Sequence, residues 1–256
     1  MNIKQVYDVF FSPTDSTRHI LQFLSEQLSI TYQKIDLTNF KSAKQKFDFG
    51  EDDLVFIGAP SYAGRVPITF AQRLKNIQGN NAIAILVVTF GNRAQEDTLL
   101  ELFDIAKKQG FRILAAAAIV TEHSIIHDFG RGRPDIKDKS ELMSFMQEVK
   151  MKIQEDKFLA DEIPGNRPYK EVNPVPMAPS VIIEKCIKCG KCARECPTAA
   201  INKQNFVCQS EKCISCLRCV KVCPMKCRFV DVEKMEKLRI HLTPLCIERK
   251  ENKFYL

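Results

Sequence analysis

At 256 residues, with 45% apolar and 27% charged side chains, the chain has room for one large or two modest domains and too many core-forming residues for disorder. Its longest apolar runs, Ala82 to Val88 and Ile113 to Val120, fall well short of the ~20 residues of a membrane-spanning helix, so no membrane insertion is expected. A net charge of +7 invites a nucleic-acid reading, but residues 181–256 carry the excess, with 16 Lys or Arg against 8 Asp or Glu, and all eleven cysteines lie there too. An anionic group held by those thiols would offset the charge, and no nucleic-acid partner is expected.

The opening stretch MNIKQVYDVFFSPTDS has no apolar run ending in a small-residue cleavage site, so no secretory signal is expected and the cytoplasm is the expected compartment. Cysteines in a reducing compartment point to metal ligation in preference to disulfides.

Along the chain, strands are predicted at 5–11, 30–35, 54–57, 83–89 and 111–120, each rich in β-branched or aromatic residues. Several are continuous apolar runs, as a strand covered on both faces requires. Between them, apolar residues recur at three- and four-residue intervals, predicting helices over 17–28, 69–76, 95–109 and 139–157. Alternation of this kind predicts an α/β fold with a parallel sheet. For 38–52, polar and basic, a short helix and a loop both fit.

Three loops at the strand ends bear on function. After the first strand comes Ser12-Pro13-Thr14-Asp15-Ser16-Thr17-Arg18, where hydroxyls and unpaired amides at a helix N-terminus suit a phosphate; a plain helix cap fits the same residues. The stretch resembles the phosphate loop of flavodoxins at Ser12, Thr14, Ser16 and Thr17, and Asp15 stands where that family usually has Gly. After the third strand comes Gly58-Ala59-Pro60-Ser61-Tyr62-Ala63-Gly64-Arg65, and after the fourth Thr89-Phe90-Gly91-Asn92-Arg93. Both resemble flavin-ring loops of flavodoxin-like domains fused to ferredoxins. That resemblance implies a doubly wound five-stranded sheet of order 2-1-3-4-5 binding FMN, with Tyr62 against the ring and Thr89, Gly91 and Asn92 at its polar edge. A later stretch, His123 to Asp135, resembles the fused proteins at His123, Ser124, Gly132, Arg133 and Pro134 and has the look of a lid, with Arg131 and Arg133 as cations for a reduced ring; a solvated loop fits it too.

Five prolines between 164 and 179 mark an extended, semi-rigid linker. Beyond it, Cys186-x-x-Cys189-x-x-Cys192-x-x-x-Cys196-Pro197 recurs 27 residues later as Cys213-x-x-Cys216-x-x-Cys219-x-x-x-Cys223-Pro224, an internal duplication. A cubane needs four soft thiolates from different directions; a CxxCxxC turn supplies three, and the cysteine before each proline ligates the other cluster. One cluster then takes Cys186, Cys189, Cys192 and Cys223, and the other Cys213, Cys216, Cys219 and Cys196. Zinc ribbons lack this third cysteine and proline. The segment resembles bacterial-type two-cluster ferredoxins over roughly 180–232, with all eight ligands matched. Cys208, Cys227 and Cys246 fall outside the pattern and are expected to be ordinary buried or free thiols.

Taken whole, the chain resembles fused flavodoxin–ferredoxin electron-transfer proteins. The expected organisation is 1–160 as an FMN-binding domain, 161–179 as linker, and 180–256 as a small α+β module for two [4Fe–4S] clusters with a C-terminal extension. Electron transfer between redox partner proteins is the expected role, an acidic partner suiting the Lys and Arg surplus; an FMN-dependent reductase of a small molecule, fed through the clusters, is the alternative.

Overall fold

The computed structural model describes residues 2–159, 163–172 and 177–256. In chain order the elements are β1 (Gln5–Phe10), α1 (Ser16–Glu26), β2 (Tyr32–Asp36), β3 (Phe47–Asp48), β4 (Asp53–Pro60), α2 (Ile68–Leu74), β5 (Ile77–Gln78), β6 (Ile83–Phe90), α3 (Thr98–Lys108), β7 (Arg112–Val120) and α4 (Ile136–Glu155). The cysteine-rich part adds β8 (Ser180–Val181), α5 (Lys191–Arg194), α6 (Arg218–Lys221), β9 (Arg228–Phe229), α7 (Val232–Cys246) and β10 (Lys253–Tyr255).

The main sheet runs β10-β7-β6-β4-β1-β2. Its five long strands are mutually parallel in the expected flavodoxin-like order, with β3 and β5 forming a separate two-strand pair. The stretch 38–52 contains a short 3-10 helix, Phe40–Lys44, ahead of β3. Period-2 alternation divides the apolar runs between two cores. Val9, Val55, Ile57, Leu86 and Val88 meet Phe70, Leu74, Leu99, Leu102 and Phe103 of α2 and α3 on one face. Val6, Phe10, Leu54, Phe56, Ile85 and Val87 meet Ile20, Leu21, Leu24, Leu142, Phe145 and Met146 of α1 and α4 on the other. Gly58 lets α1 approach, because a Cβ there would stand 2.8 Å from Leu21 and from Thr17. Among the described residues, no helix is long and apolar enough to cross a membrane.

The sixth strand is a departure from the expected organisation. Residues 233–256 do not simply extend the cluster module: β10 pairs antiparallel with β7, Lys253 facing Ala118 and Tyr255 facing Ala116. Phe254 stacks on Phe145 at 5.0 Å between centroids. The C-terminus therefore closes the edge of the N-terminal sheet.

Residue 160 and, of the linker, 161–162 and 173–176, including Pro174 and Pro176, lie outside the described residues. Its middle is strapped to α3 by polar contacts. Asn166 donates from its amide and side chain to Asp97 at 2.8 and 3.0 Å, Lys170 N donates to the same carboxylate at 2.7 Å, and Arg167 donates to Asp104 at 2.9 Å. Lys170 Nζ reaches Glu96 at 2.6 Å; Arg93 and Lys170 together hold the Glu96 carboxyl down to about 2.

Asp8 on β1 is 1% exposed, and its carboxylate accepts a hydrogen bond from Ser25 Oγ. Burial raises its pKa to about 6, with the Ser25 bond and Lys34 opposing. The folded chain thus keeps this proton to about pH 6, while the unfolded chain releases it near 3.8, so the contribution to stability is present at low pH and lost as pH rises from about 4 through 6. Asp8→Asn, neutral throughout, should gain on wild type by about 2–3 kcal/mol between pH 4 and pH 7.5, measured by denaturant unfolding of anaerobic protein. Parallel pH profiles for the two proteins would contradict the assignment.

Candidate functional site

The cysteine duplication is also a duplication of backbone. Short 3-10 turns at Ile183–Lys185 and Ser210–Lys212 precede the two motifs, and α5 and α6 follow at the same offset. Positive φ recurs in register at Lys188 and Ser215 (54° and 55°), Gly190 and Leu217 (71° and 55°), and Ala199 and Lys226 (52° and 47°). These left-handed residues turn amides toward sulfur. Lys188 N donates to Cys186 Sγ at 3.4 Å, Ser215 N to Cys213 Sγ at 3.4 Å, and Ala200 N to Cys196 Sγ at 3.2 Å.

The cysteines of the two repeats lie near one another. Cys186, Cys189 and Cys192 line one cavity together with Cys223 from the other repeat. Cys216 has Cys219, Cys196 and Cys213 as neighbours, and Cys219 likewise faces Cys196 and Cys213. The soft donors that line the first cavity suit an iron–sulfur group, and amides directed at sulfur are what such a group uses as hydrogen-bond donors. Two cysteines expected to be bystanders are not remote. Cys208 is hydrogen-bonded to Cys213, and Cys227 Sγ lies 3.4 Å from Cys223 Sγ. Cys246 does pack away from both sets, 1% exposed beside Ile126, Phe129 and Leu242.

In the N-terminal half, the carboxyl ends of the adjacent strands β1, β4 and β6 bring the three sequence-selected loops together, at the point where the chain order reverses. Thr17 and Thr89 share a hydrogen bond at 2.8 Å, Ser61 N donates to the Thr89 carbonyl at 2.7 Å, and Ser61 Oγ meets Thr98 Oγ1 at 2.7 Å. Ser12 is buried; its Oγ accepts from Arg18 N at 3.1 Å, and its amide donates to Thr38 Oγ1 at 2.8 Å. Thr14 and Ser16 flank Asp15, which caps α1 in the left-handed region at φ 68°. Gly64, at φ +83°, has no room for a Cβ beside the Glu96 carboxylate. Pro60, Ala63 and Phe90 belong to these same loops, Ala63 exposed and Phe90 buried.

Asp15 is the unexpected hinge of the site. Its carboxylate lies 3.3 Å from Arg18 Nε, 3.4 Å from Arg218 Nη1 and 2.8 Å from Lys221 Nζ, the last two on α6 of the second cysteine repeat. Burial alone would raise its pKa, but Lys221, Arg218 and Arg18 override that and hold the carboxyl below its ordinary value. Arg218 also donates to the Pro13 carbonyl at 3.2 Å and to Glu195 at 2.7 Å, and Lys221 Nζ to the Thr14 carbonyl. The cations outnumber the carboxylates here, so a phosphate anion at the loop meets a net positive surrounding despite Asp15.

Tyr62, chosen from sequence as the ring-stacking residue, is partly buried and packs against the core of the N-terminal half, as does Ile214 of the second repeat. Burial lifts its pKa well above the usual range, and the Cys216 sulfur acts in the same direction. Arg73, 4% exposed, donates to the carbonyls of Leu37 and Thr38 and to that of Pro197, directly after the ligand Cys196. The second cysteine set therefore abuts the loop cluster.

Asn92 is committed elsewhere. Its Nδ2 donates to the carbonyls of Cys246 and Glu248 at 2.6 and 2.9 Å, and its Oδ1 accepts from Lys250 N at 3.0 Å. The lid arginines are also engaged: Arg133, buried, is paired with Asp138, and Arg131 with Asp128. His123 fills the space beside Gly91, and burial, helped by His127 and Arg93, lowers its pKa to about 4, so it is neutral near pH 7.

Two family models, each described as a 4Fe-4S binding domain, match residues 179–202 and 210–226. No curated protein matches this chain. Among solved structures, the flavodoxin of Fusobacterium nucleatum bound to flavin mononucleotide is 16% identical with a TM-score of 0.42, over 58% of this chain and 98% of that one. A flavodoxin from the domain Archaea is 9% identical with a TM-score of 0.41, over 59% and 99%. Rubredoxin oxygen:oxidoreductase from the anaerobe Desulfovibrio gigas is 17% identical with a TM-score of 0.42, over 59% of this chain but only 38% of its own length.

The crossed pattern makes an unusual double-mutant signature. Cys189→Ala combined with Cys223→Ala removes two ligands of one cluster and should leave about half the iron and sulfide of wild type, whereas Cys189→Ala with Cys196→Ala should leave almost none. Iron and acid-labile sulfide assays on anaerobically isolated protein decide it. Equal losses in the two double variants would contradict the crossing.

Proposed function

We propose that this chain moves electrons between a one-electron partner protein and one FMN, through cluster I (Cys186, Cys189, Cys192, Cys223) and then cluster II (Cys213, Cys216, Cys219, Cys196). In this reading residues 1–160 hold the flavin, 161–179 connect, and 180–256 hold the clusters, in a reducing cytoplasm. Flavin supplies one- or two-electron chemistry and each cluster one-electron chemistry, so the assembly interconverts the two.

One observation carries the order of the path: the second repeat, and not the first, lies against the proposed flavin loops. Arg218 and Lys221 hold Asp15 and the carbonyls of Pro13 and Thr14, Ile214 packs against the same core as Tyr62, and the Cys216 sulfur lies within electrostatic reach of Tyr62. For the flavin itself, Ser12, Thr14, Asp15, Ser16 and Thr17 surround the phosphate position, with Arg18, Arg218 and Lys221 supplying positive charge. Pro60, Ser61, Tyr62, Ala63 and Gly64 form one wall of the ring site, and Thr89, Phe90, Gly91 and the Asn92 backbone supply the other.

The first repeat faces outward. Cys189 is exposed, as are Ile187 at 60% and Met225 at 45%, and so are the nearby Lys185, Lys188, Lys191, Arg194 and Lys226, with Glu184. Apolar contact over a cluster with a basic rim suits an acidic redox protein, whose encounter rate should fall as salt rises.

A second reading, the reduction of a small molecule by the flavin, is favoured by a cavity of about 400 Å³ beside the Asn92 loop, lined by Phe129, Arg131, Arg133, Arg239, Thr243 and Arg249. Turnover of small acidic acceptors by the reduced holoprotein would support that reading over the carrier.

The proposed order is tested by anaerobic stopped-flow reduction of holoprotein whose FMN, iron and sulfide have been assayed. Cluster bleaching should precede flavin bleaching. Arg218→Ala with Lys221→Ala should slow the flavin phase tenfold or more, or strip the FMN, and leave the cluster phase unchanged. Flavin reduction that precedes the clusters, or ignores the double substitution with FMN retained, would contradict the path.

A further inference from the structure

Superimposing the repeats by their 27-residue offset exposes two buried positions that differ in kind. The first repeat has Ala200 and Ile201, 1% and 4% exposed; the second has Cys227 and Arg228, 2% and 3% exposed. An Ala–Ile pair only fills space. A thiol and a guanidinium at the same depth need polar partners, because burial of an uncompensated charge is strongly unfavourable.

Both residues find those partners in sulfur. Each lines the cavity enclosed by Cys186, Cys189, Cys192 and Cys223. Cys227 Sγ is 3.4 Å from Cys223 Sγ, and Cys186 is its other sulfur neighbour. Arg228 donates from Nη2 to the Phe206 carbonyl, its side chain also contacts Cys192, and the nearest charge-bearing groups are the sulfurs of Cys219, Cys192 and Cys208. The remaining terminal nitrogen, Nη1, is buried with no hydrogen-bond partner. Cys192 belongs to one proposed ligand set and Cys219 to the other, so the guanidinium is within electrostatic reach of both sites.

We infer that Cys227 and Arg228 set the reduction potentials of the clusters. Arg228 directs an N–H toward cluster I and fixes a positive charge within reach of both clusters, while Cys227 gives its thiol hydrogen to a ligand sulfur of cluster I alone. This inference rests on the two-cluster reading. Each electron accepted adds one unit of negative charge to a cluster, and a nearby cation and hydrogen-bond donors favour the more negative form, which raises the potential. Two clusters with duplicate ligand patterns are thereby made unequal: cluster I feels both residues, cluster II only the guanidinium.

The test writes the first repeat into the second. EPR-monitored redox titration of the whole anaerobic chain compares wild type with Arg228→Ile and Cys227→Ala. Arg228→Ile should lower the midpoints of both clusters, reducing the equilibrium constant for reduction tenfold or more, which for a one-electron couple is about 59 mV. Cys227→Ala should lower cluster I alone, and by less. Iron and sulfide are assayed on the same samples. Wild type without sulfide would defeat the two-cluster reading itself, whereas full iron and sulfide in Arg228→Ile with unmoved midpoints would overturn the role of Arg228 while leaving the clusters in place. Should Arg228→Ile fail to retain iron, Arg228→Lys decides, since it keeps the charge but not the planar fork: a fall in the cluster I midpoint with cluster II little changed supports the inference, and an unmoved cluster I midpoint overturns it.

Discussion

The structure depends on one constraint: each four-iron group must draw three sulfurs from its own turn and the fourth from the other repeat. A CxxCxxC turn cannot surround a cubane by itself, so in the proposed arrangement Cys196 and Cys223 cross. That crossing locks two short repeats, with little core of their own, into one unit, and it makes metal binding part of folding. The repeated left-handed residues follow from the same need, because they point backbone amides at sulfur.

Once the repeats are locked, their orientation on the N-terminal sheet decides what the protein can do. The second repeat presents Arg218 and Lys221 to Asp15, and the third cation, Arg18, comes from α1 itself. An acidic residue in a phosphate loop would ordinarily oppose an anion. Here the carboxylate anchors cations that arrive from 200 residues away, so the same contact fastens the two halves and keeps the loop electropositive. The C-terminal arm completes the frame, with β10 closing the sheet edge and the carbonyls of Cys246 and Glu248 holding Asn92.

Much of this was legible in the sequence. Continuous apolar runs at 54–57, 83–89 and 111–120 marked doubly covered strands, and the three loops that follow β1, β4 and β6 do meet. The proposed set of eight ligand cysteines rests on spacing alone. What stayed hidden depends on partners distant in the chain. The three residues of β10 are too few to show a period, and their pairing with β7 spans more than 130 positions. Asn92 resembled a ring contact because nothing local reveals that the C-terminal arm takes its amide. Neither did local sequence reveal that Asp15 would be met by Arg218 and Lys221. Cys227 and Arg228 are a different case: aligning the repeats beyond the last proline would have shown Ala-Ile replaced by Cys-Arg, a signal present in the sequence but outside the ligand motif.

The central claim, that the crossed cubane nearer the flavin belongs to the second repeat, is most directly tested by anomalous diffraction at the iron edge from crystals of anaerobically prepared, flavin-containing protein. The account predicts two four-iron peaks, with the one enclosed by Cys213, Cys216, Cys219 and Cys196 nearer to Tyr62 and the ring. A single ion in each cysteine set, or the ring lying nearer to the Cys186 set, would contradict it.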